Sequence, residues 1–115
     1  MYDSDKRKLL SALCHGSIFA GSLLLFIGLP IAILFVSDDP VVKDNAKESL
    51  NFHLNIWLYE AILGILWISI IGIPIAAILA IPFFLFHWIL PVLALLKILA
   101  NPEITYRYPF IFRLV

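Results

Sequence analysis

The chain has 115 residues, of which 63% are hydrophobic and only 14% are charged. A soluble domain averages nearer half apolar and about a quarter charged, and a domain this small has too much surface to hide the excess. The eight basic and eight acidic residues balance, which leaves no basic footprint for nucleic acid. The composition therefore predicts an integral membrane protein that binds the lipid bilayer and not nucleic acid.

The motifs of enzymes and cofactor-binding proteins are missing from the sequence. Cys14 is the only cysteine, which excludes an internal disulfide and a cysteine metal site. No two of the three histidines have the i, i+4 spacing of an H-E-x-x-H site. No Gly-rich phosphate loop or Ser-His-Asp pattern is present. We expect no catalytic residue, no metal site and no cofactor, and we expect that the protein is not an enzyme.

The first predicted element is a membrane span over residues 9–36, a block that is almost wholly apolar. About 20 residues cross a bilayer, so this block is long enough to span with a tilt or a kink. Gly28 and Pro30 mark the expected kink, because proline removes a backbone donor. Ser17, Gly21 and Gly28 fall on one predicted stripe of small residues, a pattern that lets helices approach closely. That stripe packs either within the chain or against a second copy.

An amphipathic helix over residues 40–50 is predicted next. Asp39 before Pro40 is typical of a helix start, since aspartate caps free amides and proline suits the first turn. Asp44, Glu48, Asn51 and Asn55 share one helix side, as helical spacing requires. We interpret them as a water-facing stripe on a helix at the membrane surface, which either turns or runs straight into a second span over residues 51–71. His53 is then shallow enough to reach water or headgroups.

A third span is predicted over residues 75–99. It follows an apolar turn at residues 69–74, where Gly72 and Pro74 are expected to end the preceding helix. Residues 100–115 alternate aromatic and basic side chains, which indicates an interfacial tail. The predicted fold is thus a single all-α membrane domain over residues 1–115. It has three transmembrane helices, an interfacial helix and an aromatic-basic tail.

Three spans would place the amino terminus and the tail on opposite sides of the membrane. Three basic residues precede the first span, and five lie on the other predicted side: Lys43, Lys47, Lys97, Arg107 and Arg113. The positive-inside rule therefore favours a cytoplasmic surface helix and carboxyl terminus. The expected location is a bacterial plasma membrane or a thylakoid-type inner membrane.

Glu60, His87 and His15 are polar residues that lie well inside the predicted spans. At a rise of about 1.5 Å per residue, Glu60 is about 15 Å deep, His87 about 18 Å and His15 about 9 Å. A charged carboxylate at the bilayer centre costs about 2.5 kcal/mol or more. Glu60 either pairs with His87 or His15 and marks a polar path or a partner site, or stays neutral and hydrogen-bonds a neighbouring helix.

Three short motifs carry a family resemblance: His15-Gly16, "KESLNF" from Lys47 to Phe52, and "NPEITYRYPFIFRL" near the end. With them, the chain resembles a bacterial membrane family that is similar to the twenty-kilodalton channel subunit of the chloroplast inner-envelope import translocon (Tic-twenty-like). The interfacial motif comprises Glu48, Asn51, Phe52, His53, Asn55, Tyr106, Arg107, Tyr108 and Pro109.

The resemblance implies a non-enzymatic channel-like subunit that forms or lines a translocation path, alone as a homo-oligomer or with other membrane subunits. The alternative is an accessory or assembly subunit that packs its spans against a larger membrane complex.

Overall fold

A computed structural model describes residues 3–20 and 23–115, and within these ranges the regular secondary structure is entirely helical. Helix α1 spans Ser4–Gly16 and is followed by a short 3-10 helix at Ser17–Ala20; α2 spans Leu23–Val36, α3 Pro40–Ile68 and α4 Ile73–Ala100. An irregular tail follows from residue 101. The molecule is elongated, with extents of 56 × 24 × 23 Å. The all-helical prediction is confirmed.

Helix α3 is the long axis of the molecule, 29 residues in one piece, or about 43 Å. Its start is the predicted one: the Asp39 side chain accepts from the backbone N–H of Val41 at 3.0 Å, and Pro40 opens the first turn. The helix does not bend away near residue 50. The interfacial helix predicted over 40–50 and the second span predicted over 51–71 are therefore one continuous helix, because nothing in that stretch breaks the backbone pattern.

The turn between α3 and α4 is tight because of Gly72. A Cβ atom added at this position would lie 2.5 Å from the backbone oxygen of Leu66, closer than real side chains allow. Helix α4 then runs antiparallel to α3 and continues through Pro82 and Pro91. The turn between α3 and α4 thus lies where the sequence predicts an apolar turn.

The first apolar block folds back on itself. Arg7, near the start of α1, donates from Nε to Asp39 Oδ2 at 2.6 Å, at the start of α3. Between them, Cys14 of α1 and Ile33 of α2 pack in one cluster with Val42 of α3. Residues 9–36 thus form two antiparallel helices of about 20 Å each, shorter than a bilayer core of about 30 Å.

The chain reverses between the end of α1 and the start of α2 and not at the predicted kink, since α2 continues through Pro30. The predicted stripe of small residues is consequently not the face of one helix. Ser17 lies in the 3-10 helix and donates to the Cys14 carbonyl oxygen at 2.8 Å, while Gly28 lies in α2. Gly21 is outside the described residues.

The three predicted spans are not confirmed. Among the described helices, α4 alone is both long and apolar enough to cross a membrane by length and composition. Arg7 also contacts Glu103 at the start of the tail, so the beginning of the chain and the tail meet at one end of the molecule. We call this end, where Arg7, Asp39 and Glu103 meet, the polar end. Placement of the two termini on opposite sides is therefore not supported.

The buried core lies toward the polar end, where α1, α3, α4 and the tail meet. Its residues are Ile18, Phe52, Ile56, Ala94, Ile98, Tyr106 and Tyr108. The opposite part of the α3–α4 hairpin, residues 61–96, contains no Asp, Glu, Lys or Arg, and its apolar side chains are largely exposed. We call this part the charge-free hairpin.

Candidate functional site: the polar face of helix α3

The C-terminal tail lies along α3, and its backbone N–H groups donate to side chains of that helix. Tyr106 N–H donates to Asn45 Oδ1 at 3.0 Å and Tyr108 N–H to Glu48 Oε1 at 2.8 Å. Farther along, Phe112 N–H donates to Asn55 Oδ1 at 2.8 Å, and the N–H groups of Leu114 and Val115 donate to Asn51 Oδ1 at 2.8 and 2.9 Å. The helix side chains replace the neighbouring strand that an extended segment would otherwise need.

The tail reverses direction at Pro109 and Phe110. Phe110 adopts φ 60, a conformation uncommon for a residue with a side chain, and Tyr59 donates from its hydroxyl to the Phe110 carbonyl at 2.6 Å. Arg113 on the returning limb donates to Tyr108 O at 2.9 Å and to both oxygens of Glu48. The tail is thus a closed loop clamped to α3.

Three of the four residues in the predicted water-facing stripe face the protein instead. Glu48, Asn51 and Asn55 are at most 3% exposed, whereas Asp44 on the same helix is exposed. His53 is buried as well, with its Nδ1 2.6 Å from the carbonyl oxygen of Ser49. Periodicity identifies the polar face of a helix, but the tail satisfies that face in place of water or headgroups.

His15 lies in the centre of a hydrogen-bond network whose directions are determined. Asn45 Nδ2 donates to the carbonyl oxygens of Val41 and Ile104, so the Asn45 oxygen must face His15 Nε2, at 2.8 Å. An amide oxygen only accepts, and His15 Nε2 therefore carries the proton. Burial lowers the pKa of His15 to about 4, so near neutral pH its Nδ1 is unprotonated and accepts from the Tyr108 hydroxyl at 2.7 Å. His15 is a neutral, structural histidine in this arrangement.

The aromatic residues of the motif support the same contact. The Tyr108 ring stacks on Phe52 with centroids 4.3 Å apart, and Tyr106 meets Tyr108 edge-on at 4.9 Å. Arg107 and Pro109, between and after the tyrosines, are exposed. The tyrosines of the tail segment that was predicted to lie at the membrane interface are thus buried in the protein, whereas Arg107 is exposed.

Glu60 and His87 are brought together outside this network. Glu60 Oε1 lies 4.0 Å from His87 Nδ1, too far for a hydrogen bond, and the Glu60 side chain is 51% exposed. The His87 ring stacks on Trp88 with centroids 4.4 Å apart. Of the two partners predicted for Glu60, the structure places His87 beside it, while His15 bonds to Asn45 and Tyr108. Whether the pair has a function stays a prediction.

An ion pair closes the polar end. Burial acts to raise the pKa of Asp39, but hydrogen bonds from Arg7 and from the N–H groups of Val41 and Val42 outweigh it, so the pKa lies below its usual value. The hydrogen bond to Asp39 in turn raises the pKa of the Arg7 guanidinium. Both groups are therefore charged near neutral pH.

Metal binding has no support in the described residues, where no three His, Cys, Asp or Glu side chains are grouped to hold an ion. The sequence reasoning missed four residues of the network: Ser11, Asn45, Ser49 and Arg113. A signal for Asn45 was present, since it precedes Glu48 by three positions and so lies next to it on the helix surface.

Comparison with known proteins assigns the family. The family model described as the magnetosome magnetite crystal formation protein family, MamF/MmsF, matches residues 6–115. The chain belongs to this family. The prediction of a Tic-twenty-like family is therefore wrong, because the short motifs behind it lie within a match that covers nearly the whole chain. No curated protein and no solved structure matches the chain.

Membership in the MamF/MmsF family and the apolar α4 together support a membrane-associated protein. They agree with a non-enzymatic role in a membrane, and they lend no support to an import channel.

Proposed function

We propose that this chain is a non-enzymatic membrane subunit that inserts the charge-free hairpin into the bilayer and packs it against another membrane-spanning helix. Its setting would be the membrane in which the MamF/MmsF family contributes to magnetite crystal formation. The polar end, held rigid by the clamped tail, would then lie at the membrane surface.

The surface of the hairpin supports insertion. Ile65, Ile68, Ile70 and Ile71 are 68, 84, 85 and 88% exposed, and no charged residue occurs between residues 61 and 96. A continuous apolar surface of this kind is costly in water and marks an interaction with a membrane or a protein. The α4 limb of the hairpin, residues 73–96, is about 36 Å long and so exceeds a bilayer core of about 30 Å.

The observation that carries the packing role is Glu60 at the edge of this apolar surface. Its side chain is half exposed, and a carboxylate facing lipid costs about 2.5 kcal/mol or more. One turn along the same face, a Cβ added at Gly64 would meet nothing within 4 Å. A glycine at an open position of this kind lets a second helix approach closely. A helix seated at Gly64 would cover Glu60 and bring a hydrogen-bond partner to it.

A translocation path has less support than this packing role. The buried polar residues Asn45, Glu48, Asn51 and Asn55 bind the tail, so they are not arranged as the lining of a passage. Near the charge-free hairpin, the candidate polar groups are Glu60 at its edge and His87 within it. We therefore favour the accessory or assembly subunit over the channel.

Photo-cross-linking in native membranes tests the packing role. A benzophenone side chain is placed at Ala61, beside Glu60 on the exposed face, or at Ile62, which lines the groove between α3 and α4. We expect adducts from position 61 and few from 62, and we expect Glu60→Leu to reduce the adducts at 61 several-fold. Equal yields at the two positions, or yields that ignore Glu60→Leu, would contradict the proposal.

Complementation tests the link to the family role. A magnetosome-forming cell that lacks this chain is supplied with the wild type, with Glu60→Leu or with the conservative control Ile62→Leu. We expect normal crystal sizes by electron microscopy with the wild type and the control, and altered crystals with Glu60→Leu. Normal crystals in the cell without the chain would remove the role in crystal formation.

A further inference from the structure

A cavity of about 390 Å³ opens at the polar end, between α1, the end of α2 and the loop that leads to α3. Its apolar lining residues are Leu10, Ala32, Ile33, Val36 and Val42. Lys6, Asp3 and Asp38 also line it and bring both signs of charge, and we call them the rim. An apolar lining beside both signs of charge is the arrangement that an amphiphile with a zwitterionic head would match.

The charges on the rim are distinct from the ion pair at its base. Arg7 also lines the cavity, but its guanidinium is held by Asp39 and Glu103. Lys6, which directly precedes Arg7 in α1, is exposed. Asp3 is exposed as well, and its carboxylate caps the start of α1. A ligand at the rim thus meets one ammonium and two carboxylates in addition to the neutralised Arg7–Asp39 pair.

The cavity lies where the apolar outer surface of the α1–α2 hairpin meets the charged residues. Leu9 is 59% exposed, and Phe35 and Val36 are each 81% exposed, while Lys6 and Asp38 lie one turn or less away. In a membrane-inserted protein, a boundary of this kind lies at the level of the lipid headgroups. Lipid is therefore the amphiphile present at this level.

We propose that the cavity binds a zwitterionic phospholipid that carries a primary amine. The phosphodiester accepts from Lys6, as ammonium groups commonly bind phosphate, and the lipid ammonium donates its three hydrogens toward Asp3 and Asp38. The start of an acyl chain lies on Leu10, Ile33 and Val36. A quaternary choline head offers no donor to the carboxylates, and an anionic head without an amine sets its phosphate against them.

The test is the thermal stability of the full chain in detergent on addition of three lipids: phosphatidylethanolamine, phosphatidylcholine and phosphatidylglycerol. We expect phosphatidylethanolamine to raise the Tm the most, and we expect Lys6→Ala to weaken its binding about tenfold, as loss of a charged hydrogen bond implies. Lys8→Ala, also on α1 but outside the cavity lining, is the matched control and should bind as the wild type does. Ala32→Trp should fill the cavity and abolish the shift.

Soluble glycerophosphoethanolamine separates a lipid from a free ligand, because it has the head without the chains. A shift with the lipid and none with the soluble head supports the proposal. An equal shift with both, an equal shift with phosphatidylglycerol, or a shift that survives both Lys6→Ala and Ala32→Trp overturns it. Lys6 is exposed, so that variant is expected to fold whatever the outcome for Ala32→Trp. Neither result depends on the packing role of Glu60.

Discussion

Glu48 and Arg113 form an ion pair that joins α3 to both limbs of the tail. Arg113 Nε lies 2.9 Å from Glu48 Oε2, and its Nη2 lies 3.0 Å from Oε1 and 2.9 Å from the Tyr108 carbonyl oxygen. Glu48 also accepts from the Tyr108 N–H at 2.8 Å. The carboxylate is buried and the guanidinium partly exposed. A buried carboxylate is tolerated when paired and hydrogen-bonded in this way.

Removal of Arg113 should therefore leave a buried carboxylate without its counter-charge. We expect Arg113→Ala to lower the free energy of unfolding by about 1–3 kcal/mol, a value reduced because the guanidinium is partly solvated. Arg107→Ala, an exposed residue on the same tail, should change stability by less than about 0.5 kcal/mol. Thermal unfolding in detergent measures both. Equal losses for the two variants would show that the clamp contributes nothing specific.

Asn51 holds the last two residues through its side-chain oxygen. Asn51→Leu removes the acceptor for Leu114 and Val115, and we expect faster hydrogen exchange at these two amides, with a stability loss of about 1–3 kcal/mol. Asn51→Asp retains an acceptor and should keep both amides protected. Protection that persists in Asn51→Leu would mean that packing, and not this bond, orders the end of the tail.

Asn45 is both a donor and an acceptor in the His15 network. Asn45→Asp places a carboxylate against the carbonyl oxygens of Val41 and Ile104, which can only accept. We expect a loss of about 2–4 kcal/mol. Asn55→Asp should cost less than this, although Asn55 also donates to Asn51 O and Phe112 O, because it lies outside the His15 network. A smaller loss at Asn45 than at Asn55 would contradict the central position of that network.

The Arg7–Asp39 pair should make the stability of the folded protein fall at acidic pH. Because the pKa of Asp39 is lower in the folded protein, its contribution is fully present above the unfolded value of about 3.9. It is lost as the pH falls through the folded pKa. We expect the Tm of the wild type to decline more steeply below about pH 4 than that of Asp39→Asn. Asp5→Asn, an exposed control on α1, should follow the wild type, and coincident curves for all three would exclude the pair as the cause.

Gly72 and Gly64 provide a matched pair of glycine positions. Gly72→Ala would place a methyl group 2.5 Å from the Leu66 carbonyl oxygen, and we expect a loss of about 1–3 kcal/mol from the forced backbone shift. Gly64→Ala meets open space and should stabilise the isolated chain by about 0.5–1 kcal/mol, since alanine is the better helix former. Thermal unfolding of the two variants in detergent distinguishes them. A neutral Gly72→Ala would show that the turn relaxes freely.

Several elements follow from local chemistry alone. The apolar composition indicates a membrane protein, Asp39–Pro40 begins α3, and Gly72–Pro74 separates α3 from α4. Each of these rests on the residue itself or on neighbours within a turn or two, which is the range over which caps, proline and glycine act. Counting from Leu50 to Glu60 and from Ile75 to His87 also predicts similar depths for these two residues, and they lie 4.0 Å apart.

The tertiary structure decides that the first apolar block folds into the α1–α2 hairpin. It also decides that the polar face of α3 is buried. An apolar run of 9–36 suits one long helix or two short ones equally well, and the Arg7–Asp39 contact that closes the hairpin joins residues 32 positions apart. The acceptors of α3 meet tail amides 57 to 64 positions away. Helical periodicity indicates that one face of α3 is polar. Only the folded chain brings the tail, whose backbone N–H groups donate to that face, into contact with it.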